Sequence, residues 1–421
     1  MKQGLTVILL ISALLPLLAC TNASQKYIEQ GDIYFAQQQW NEAISEYSKA
    51  IDENPGLAIA YSKRGQAYAA TEDWNAALND LNKAIELDPK LIGAYSQRAA
   101  VYHAQGQWDM AISDLNKAIE LDPNLAEAYS NRGWTYASKG ELDSALADLN
   151  KAIQLDPGLA EAYYNRGLVY NSQGSWDMAI ADLSKAIELD PTNFTAYNDR
   201  ASAYTNIDKL DMAIADLNKA IELKPDYTMA YYNRGLVYKE QEQWEPAIAD
   251  FNKALELEPE LTGIKTDLAD TYYNRGYEYR LKGELEPALS DYNKAIELDP
   301  NYTPAYLHRA TIYNTQGQWD LALADLNKVI ELQPDIPAAY HNRAYTYLNN
   351  GYLEEAIADE TKAIELDPGY ALAYYNRGLI YYNLGESDLA IADLNKVIQL
   401  SDDTDLVSAA QDRISEIQRT K

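Results

Sequence analysis

Proline falls at a fixed interval along this chain. Pro55, Pro89, Pro123, Pro157, Pro191, Pro225 and Pro259 stand 34 residues apart, and after one longer step Pro300, Pro334 and Pro368 resume the spacing. Such a period means one supersecondary unit stacked on copies of itself, because a single copy cannot bury its own apolar face. Eleven units fit, starting at residues 24, 58, 92, 126, 160, 194, 228, 269, 303, 337 and 371. Whole phrases return with the period. AYYNRGLVY at 162–170 recurs letter for letter at 230–238, and as AYYNRGLIY at 373–381.

Aligning the units turns the sequence into columns. Positions 4 and 11 are Tyr in every unit, position 8 is Gly or Ala, and position 20 is Ala. Positions 4, 8 and 11 share one helical stripe and positions 20, 24 and 27 another, so each unit reads as two helices packed face to face. On this register the tyrosine columns are expected to be core. The same expectation covers the tryptophans at position 17: Trp40, Trp74, Trp108, Trp176, Trp244 and Trp319. Gly106, Gly140, Gly174, Gly283, Gly317, Gly351 and Gly385 mark the end of the first helix, where a left-handed residue is needed. A Leu-Asp-Pro-like stop closes the second helix, since proline disfavours helix in the residue before it.

The period and these columns resemble the tetratricopeptide repeat. The resemblance implies an all-α, right-handed superhelical solenoid of about eleven 34-residue hairpins. The expected partition is units 1–7 over 24–261, an inserted extension at 262–268, units 8–11 over 269–404, and a capping helix at 405–421. Seven inserted residues make two helical turns, enough to lengthen a first helix without turning its buried face. The capping segment DLVSAAQDRISEIQRTK places Leu406, Ala410 and Ile417 on one side. Glu360 is an exception, taking position 24 where other units have Leu, Phe or Tyr; it is either a local weak point or the partner of a nearby Arg343 or Arg377.

Members of that family commonly carry Leu at position 7. Here ten of the eleven units carry Arg: Arg64, Arg98, Arg132, Arg166, Arg200, Arg234, Arg275, Arg309, Arg343 and Arg377. Position 23 is Asp in those same ten units. The first unit, with Gln30, has Glu46 instead. The expectation is a partly buried bidentate ion pair across each hairpin; a ladder of ligand-binding arginines is the alternative.

Function must come from the positions that packing leaves over. In the family the inner wall is built from first helices, at positions 2, 5, 6, 9, 12 and 13. Position 6 supplies Asn131, Asn165, Asn233, Asn274, Asn342 and Asn376, similar to the asparagine ladder of the O-GlcNAc-transferase superhelix, which holds an extended peptide. Position 5 adds Tyr164, Tyr232, Tyr273 and Tyr375, position 9 adds Trp134, Tyr277 and Tyr345, and position 12 adds Tyr382. Rings and amides in one groove suit an extended protein segment, with a glycan as the alternative ligand. The Lys-and-Asn carboxylate clamp of chaperone-binding relatives needs Lys at position 5 and Asn at position 9, and no unit has either.

A net charge of −29 with pI near 4.4 excludes the basic face that nucleic acid or anionic lipid headgroups demand. No phosphate loop, zinc-protease motif or nucleophile elbow is present, so no enzyme activity and no cofactor are expected. His103, His308 and His341 are the three histidines; His308 and His341 come from adjacent units on the groove side, but two imidazoles without a third ligand make no metal site.

The N-terminus, MKQGLTVILLISALLPLLAC, has Lys2, an apolar run and then Cys20, the chain's one cysteine. Leu17-Leu18-Ala19-Cys20 resembles the lipobox of bacterial lipoproteins. That resemblance implies a signal peptide at 1–19, acylation of Cys20 and a short linker at 20–23. The expected location is the extracytoplasmic side of the bacterial envelope, at the outer membrane if the host has one. An ordinary signal peptide cut after Ala23 and an uncleaved anchor are the other readings. The expectation for the whole chain is a membrane-anchored scaffold for protein partners.

Overall fold

The computed structural model describes residues 23–260 and 262–420, and all regular structure among them is α-helical. Cys20 and the proposed signal peptide lie outside the described residues. The chain divides into two compact units at Pro225. The first contains hairpins α1 (23–36)/α2 (Trp40–Glu53), α3 (Ala58–Ala70)/α4 (Trp74–Leu87) and α5 (Ile92–Ala104)/α6 (Trp108–Leu121). It continues with α7 (Ala126–Lys139)/α8 (Leu142–Leu155), α9 (Ala160–Ser172)/α10 (Trp176–Leu189) and α11 (Phe194–Asn206)/α12 (Leu210–Leu223). The second contains α13 (Thr228–Glu240)/α14 (Trp244–Leu257), α15 (Thr262–Leu281)/α16 (Leu285–Leu298) and α17 (Thr303–Thr315)/α18 (Trp319–Leu332). Its last hairpins are α19 (Pro337–Asn349)/α20 (Leu353–Leu366) and α21 (Ala371–Asn383)/α22 (Ser387–Leu400), closed by α23 (Thr404–Thr420).

Turn chemistry sets these boundaries. Position 15 is left-handed in all eleven repeats, with φ between 56° and 88°. Seven repeats meet this with glycine; Gln38, Glu72, Asp208 and Glu242 adopt the same conformation without it. At the other end, the Asp88, Asp122, Asp156, Asp190, Asp299 and Asp367 carboxylates each accept the backbone N–H two residues on. The side chain thus replaces the helix's next carbonyl, and the following proline cannot rejoin the helix.

The core is narrower than the columns suggest. Alanines at positions 3, 20 and 27 are covered almost completely, as are the position-24 leucines Leu81, Leu115, Leu149, Leu183 and Leu217. The tyrosine columns are mostly half-buried, and the tryptophans at position 17 are half-buried or, like Trp108, exposed. Those residues correct the expectation of an aromatic core. The tyrosines are held at the core's edge because what they pack against is charged.

All ten position-7 arginines form bidentate pairs with the position-23 aspartates, as in Arg166 Nε to Asp182 Oδ2 at 2.6 Å and Nη2 to Oδ1 at 2.7 Å. The same pairing runs from Arg64–Asp80 to Arg377–Asp393. Nine of the ten guanidiniums sit between the tyrosines of positions 4 and 11 at 5.4–6.0 Å, as Arg166 does between Tyr163 and Tyr170. A third donor, Nη1, reaches back to the preceding second helix, for example to Asn150 Oδ1 at 2.5 Å. The recurring phrase is therefore a clamp: two rings, one cation and one distant carboxylate. With their donors committed, these arginines are structural and form no ligand ladder.

Within each unit, successive first helices approach one another while successive second helices make no comparable contact. Curvature therefore puts first helices on the inner side. The seven inserted residues lie at the start of α15, which runs 20 residues instead of 13. Ile264 and Leu268 are buried there. At the end of the second unit, Ala410 and Ile417 of α23 bury against Leu394 and Val397, with Leu406 packed alongside.

Candidate functional site

The inner wall is partly used up by the stacking itself. A position-5 side chain of one first helix meets position 6 of the next in Ser62–Gln97 (2.6 Å), Ser130–Asn165 (3.3 Å) and Tyr164–Asp199 (2.8 Å), and Tyr232 at position 5 meets Asp267, one of the inserted residues of α15, at 2.7 Å. These contacts stitch neighbouring first helices together with hydrogen bonds. Burial raises the Asp199 carboxyl above its ordinary range, opposed by bonds from Tyr164 and Asn198. The Tyr232 hydroxyl is pushed up to about 12 by burial and the adjoining Asp267 carboxylate.

The asparagine ladder is corrected accordingly. Asn165 is only 4% exposed, its amide tucked against the small Ser130 of α7, so it cannot face a ligand. Asn274 donates to Asp270 at 3.1 Å, and Asn376 lies against the buried Glu360 carboxylate. Asn131, Asn233 and Asn342 are half-buried. Tyr382 is engaged by the closing helix, its hydroxyl on Glu416 at 3.2 Å and its ring under Arg413, and Tyr375 packs in the same cluster. Tyr273 lies among Tyr277, Tyr292, Tyr302 and His308.

Three of the expected residues remain exposed: Trp134 at 36%, Tyr277 at 37% and Tyr345 at 45%. Trp134, on α7, separates two hollows. One of about 140 Å³ is lined by Ala99, His103, Leu115, Asn131 and Trp134 itself. The other, of about 230 Å³, lies between Trp134, Leu142 and Leu168. His103 lies stacked with the indole at a centroid distance of 6.0 Å, and burial lowers its pKa. The off-register tryptophan was the sequence signal for this place; the hollows and His103 were not legible.

Glu360 has neither arginine as partner. It is fully buried, and its Oε2 meets His341 Nδ1 at 3.0 Å. Burial raises its pKa, with His341 and Asn376 pulling the other way. Among the described residues, no group of three metal-ligating side chains occurs.

Several solved structures are similar to the chain. A tetratricopeptide repeat protein from Parabacteroides merdae is 22% identical over 59% of this chain and 99% of that one, with a TM-score of 0.47. A thermophilic TPR protein of Thermus thermophilus is 26% identical over 44% and 100%, with a TM-score of 0.40. YrrB, described as a TPR protein with an unusual peptide-binding site, is 26% identical over 44% and 95%, with a TM-score of 0.34. No curated protein matches. The TPR repeat model matches residues 31–71, 65–106, 101–138, 133–174, 203–242, 310–351 and 350–385. Tetratricopeptide repeat models also match 160–193, 183–215, 229–261, 269–302, 291–324 and 371–403. Matched by one such model over more than half its length, and built of hairpins at that model's period, the chain belongs to the tetratricopeptide repeat family.

Proposed function

We propose that this chain is a non-enzymatic scaffold that binds extended segments of partner proteins along its first-helix face, anchored at the bacterial envelope through acylated Cys20. The observation that carries the binding reading is Trp134, a large ring left exposed between two hollows on the inner side of the first unit. Exposed aromatic anchors flanked by side-chain-sized hollows are what an extended segment uses. Tyr277 and Tyr345 offer similar ring faces in the second unit. The anchor rests on Cys20 ending an apolar leader. The three residues between it and the first repeat would hold the array within about 15 Å of the bilayer.

The test is crosslinking in native envelopes, comparing wild type with Trp134→Ala, Tyr277→Ala and Tyr345→Ala combined. Specific protein adducts that vanish in the folded variant are expected; adducts unchanged in number and identity would refute use of this face. Labelled fatty acid should enter wild type and not Cys20→Ser. Equal labelling, or none in either, would remove the anchor from the reading.

A further inference from the structure

Repeat 8 contains a cation with no carboxylate partner, and repeat 1 shows where such a carboxylate sits. In repeat 1 the position-24 residue is Tyr47, whose hydroxyl donates to Asp32 at position 9, 2.8 Å away. Lys63, at position 6 of the next repeat, donates to the same carboxylate at 2.8 Å. A phenol, a carboxylate and a cation thus close one site. Repeat 8 again has tyrosine at position 24, Tyr292, but position 9 is Tyr277 and position 6 of the next repeat is His308. The carboxylate is gone and the phenol oxygen of Tyr292 is buried without a hydrogen-bond partner of normal geometry.

A cation is still supplied, from position 12. Arg280 lies with its guanidinium 4.9 Å from the centre of the Tyr277 ring. Its Nε is covered and has no acceptor, and no carboxylate among the described residues pairs with it. Burial pushes the Tyr292 phenol up to about 12, and Arg280 lies close enough to oppose that rise both by its charge and as a hydrogen-bond donor. Asp270, the carboxylate that could have answered it, is held elsewhere by Lys239 at 2.8 Å, Tyr302 at 2.6 Å and Asn274. His308 adds no charge at neutral pH, because burial and the nearby guanidinium lower it to about 4. One uncompensated positive charge is therefore framed by Tyr273, Tyr277 and His308 in a chain of net charge −29.

We infer that Arg280 and the rings around it form a subsite for a single carboxylate of a bound protein segment, taking the place that Asp32 occupies in repeat 1. This rests on the scaffold reading above and names the partner chemistry on the second unit: an acidic side chain or C-terminal carboxylate next to an apolar group that covers Tyr277. A guanidinium takes a carboxylate on two parallel donors, and the ring beneath fixes its plane. The residues differ from the Lys-and-Asn clamp that this chain lacks.

The test screens random hexapeptides with free C-termini against the full chain in detergent, then titrates the selected peptides against wild type, Arg280→Gln and Arg280→Lys. A class of binders is expected that weakens about 10-fold or more on Arg280→Gln and partly recovers with Arg280→Lys. In wild type those peptides should move the ring-proton resonance of His308 and raise its pKa, since they neutralise its cationic neighbour. Exchanging Glu for Gln, or amidating the C-terminus, tells the two carboxylate sources apart. Selected peptides that bind Arg280→Gln as tightly as wild type, or that need no carboxylate, overturn the inference. If such peptides are lost with Trp134→Ala, the scaffold reading survives alone; if wild type selects nothing, both fall.

Discussion

Consider replacing Arg166 by Leu, the residue that position 7 commonly carries in the family. Arg166 makes two charged hydrogen bonds to Asp182, a third bond to Asn150, and lies 5.7 and 6.0 Å from the Tyr163 and Tyr170 rings. Its side chain is 19% exposed and that of Asp182 10%. Breaking a fully buried pair from one side costs about 3–5 kcal/mol, because the other charge is left uncompensated. Residual exposure of the guanidinium softens this to about 2–3 kcal/mol for Arg166→Leu, and similarly for Asp182→Ala. The double variant should cost little more than either single one, giving a coupling of about 2 kcal/mol. Urea unfolding combined with amide exchange in α9 and α10 measures this. Purely additive single effects, or effects under about 0.5 kcal/mol as for an exposed pair, would refute the clamp.

Gly167→Ala and Gly235→Ala make a matched pair. A Cβ at 167 would meet Leu183 at 2.8 Å, a flexible partner that already accommodates alanine in Ala99/Leu115, so near neutrality is expected. At 235 it would meet the Phe251 ring at 2.8 Å, and a loss of about 2 kcal/mol in thermal or urea unfolding is expected; equal effects would contradict this. His308 is held near 4, against about 6.5 in an unfolded chain, so the unfolded state takes up the proton first. Its contribution is present above pH 6.5 and is lost as pH falls towards 4, by up to about 3 kcal/mol; the difference curve between wild type and His308→Asn should show that slope. Burial raises Glu360, so its ionised form burdens repeat 10 once pH rises through its own pKa. Glu360→Leu should slow amide exchange in α20 by about 1–2 kcal/mol at neutral pH and not at pH 4; destabilisation at both would show the His341 bond to be the stronger effect.

Much of this was legible because the chain states each requirement many times. The Arg–Asp clamp could be inferred from the exception: repeat 1 lacks both Arg and Asp, and there Glu46 turns to Lys49 at 2.6 Å. Helix ends followed from the glycine and Asp-Pro columns. The tyrosines misled because an aromatic column looks the same whether it fills a core or flanks an ion pair. Asn165 misled for another reason. Whether a position-6 amide faces solvent depends on its neighbour at position 5 of the preceding repeat. Small Ser130 lets it tuck in, a relation no single repeat displays. Arg280 reads in the sequence only as one of the few ionised wall residues, since a lone wall cation acquires meaning only once its missing carboxylate is seen.

The lengthened α15 behaves as a dislocation does in a crystal. Towards repeat 7 it keeps the old count: Tyr232 finds Asp267 at a separation of 35, as Tyr164 finds Asp199, and Lys239 reaches Asp267 at 28, as Asn171 reaches Asp199. Towards its own second helix it adopts the new one, with Arg275 meeting Asp291 at the usual 16. An extra half-layer is thus absorbed inside one rod, and the lattice on each side never registers it. Excising 262–268 should let Asn274 inherit the role of Asp267 and leave a continuous array, whereas removing six or eight residues would put every later layer out of phase.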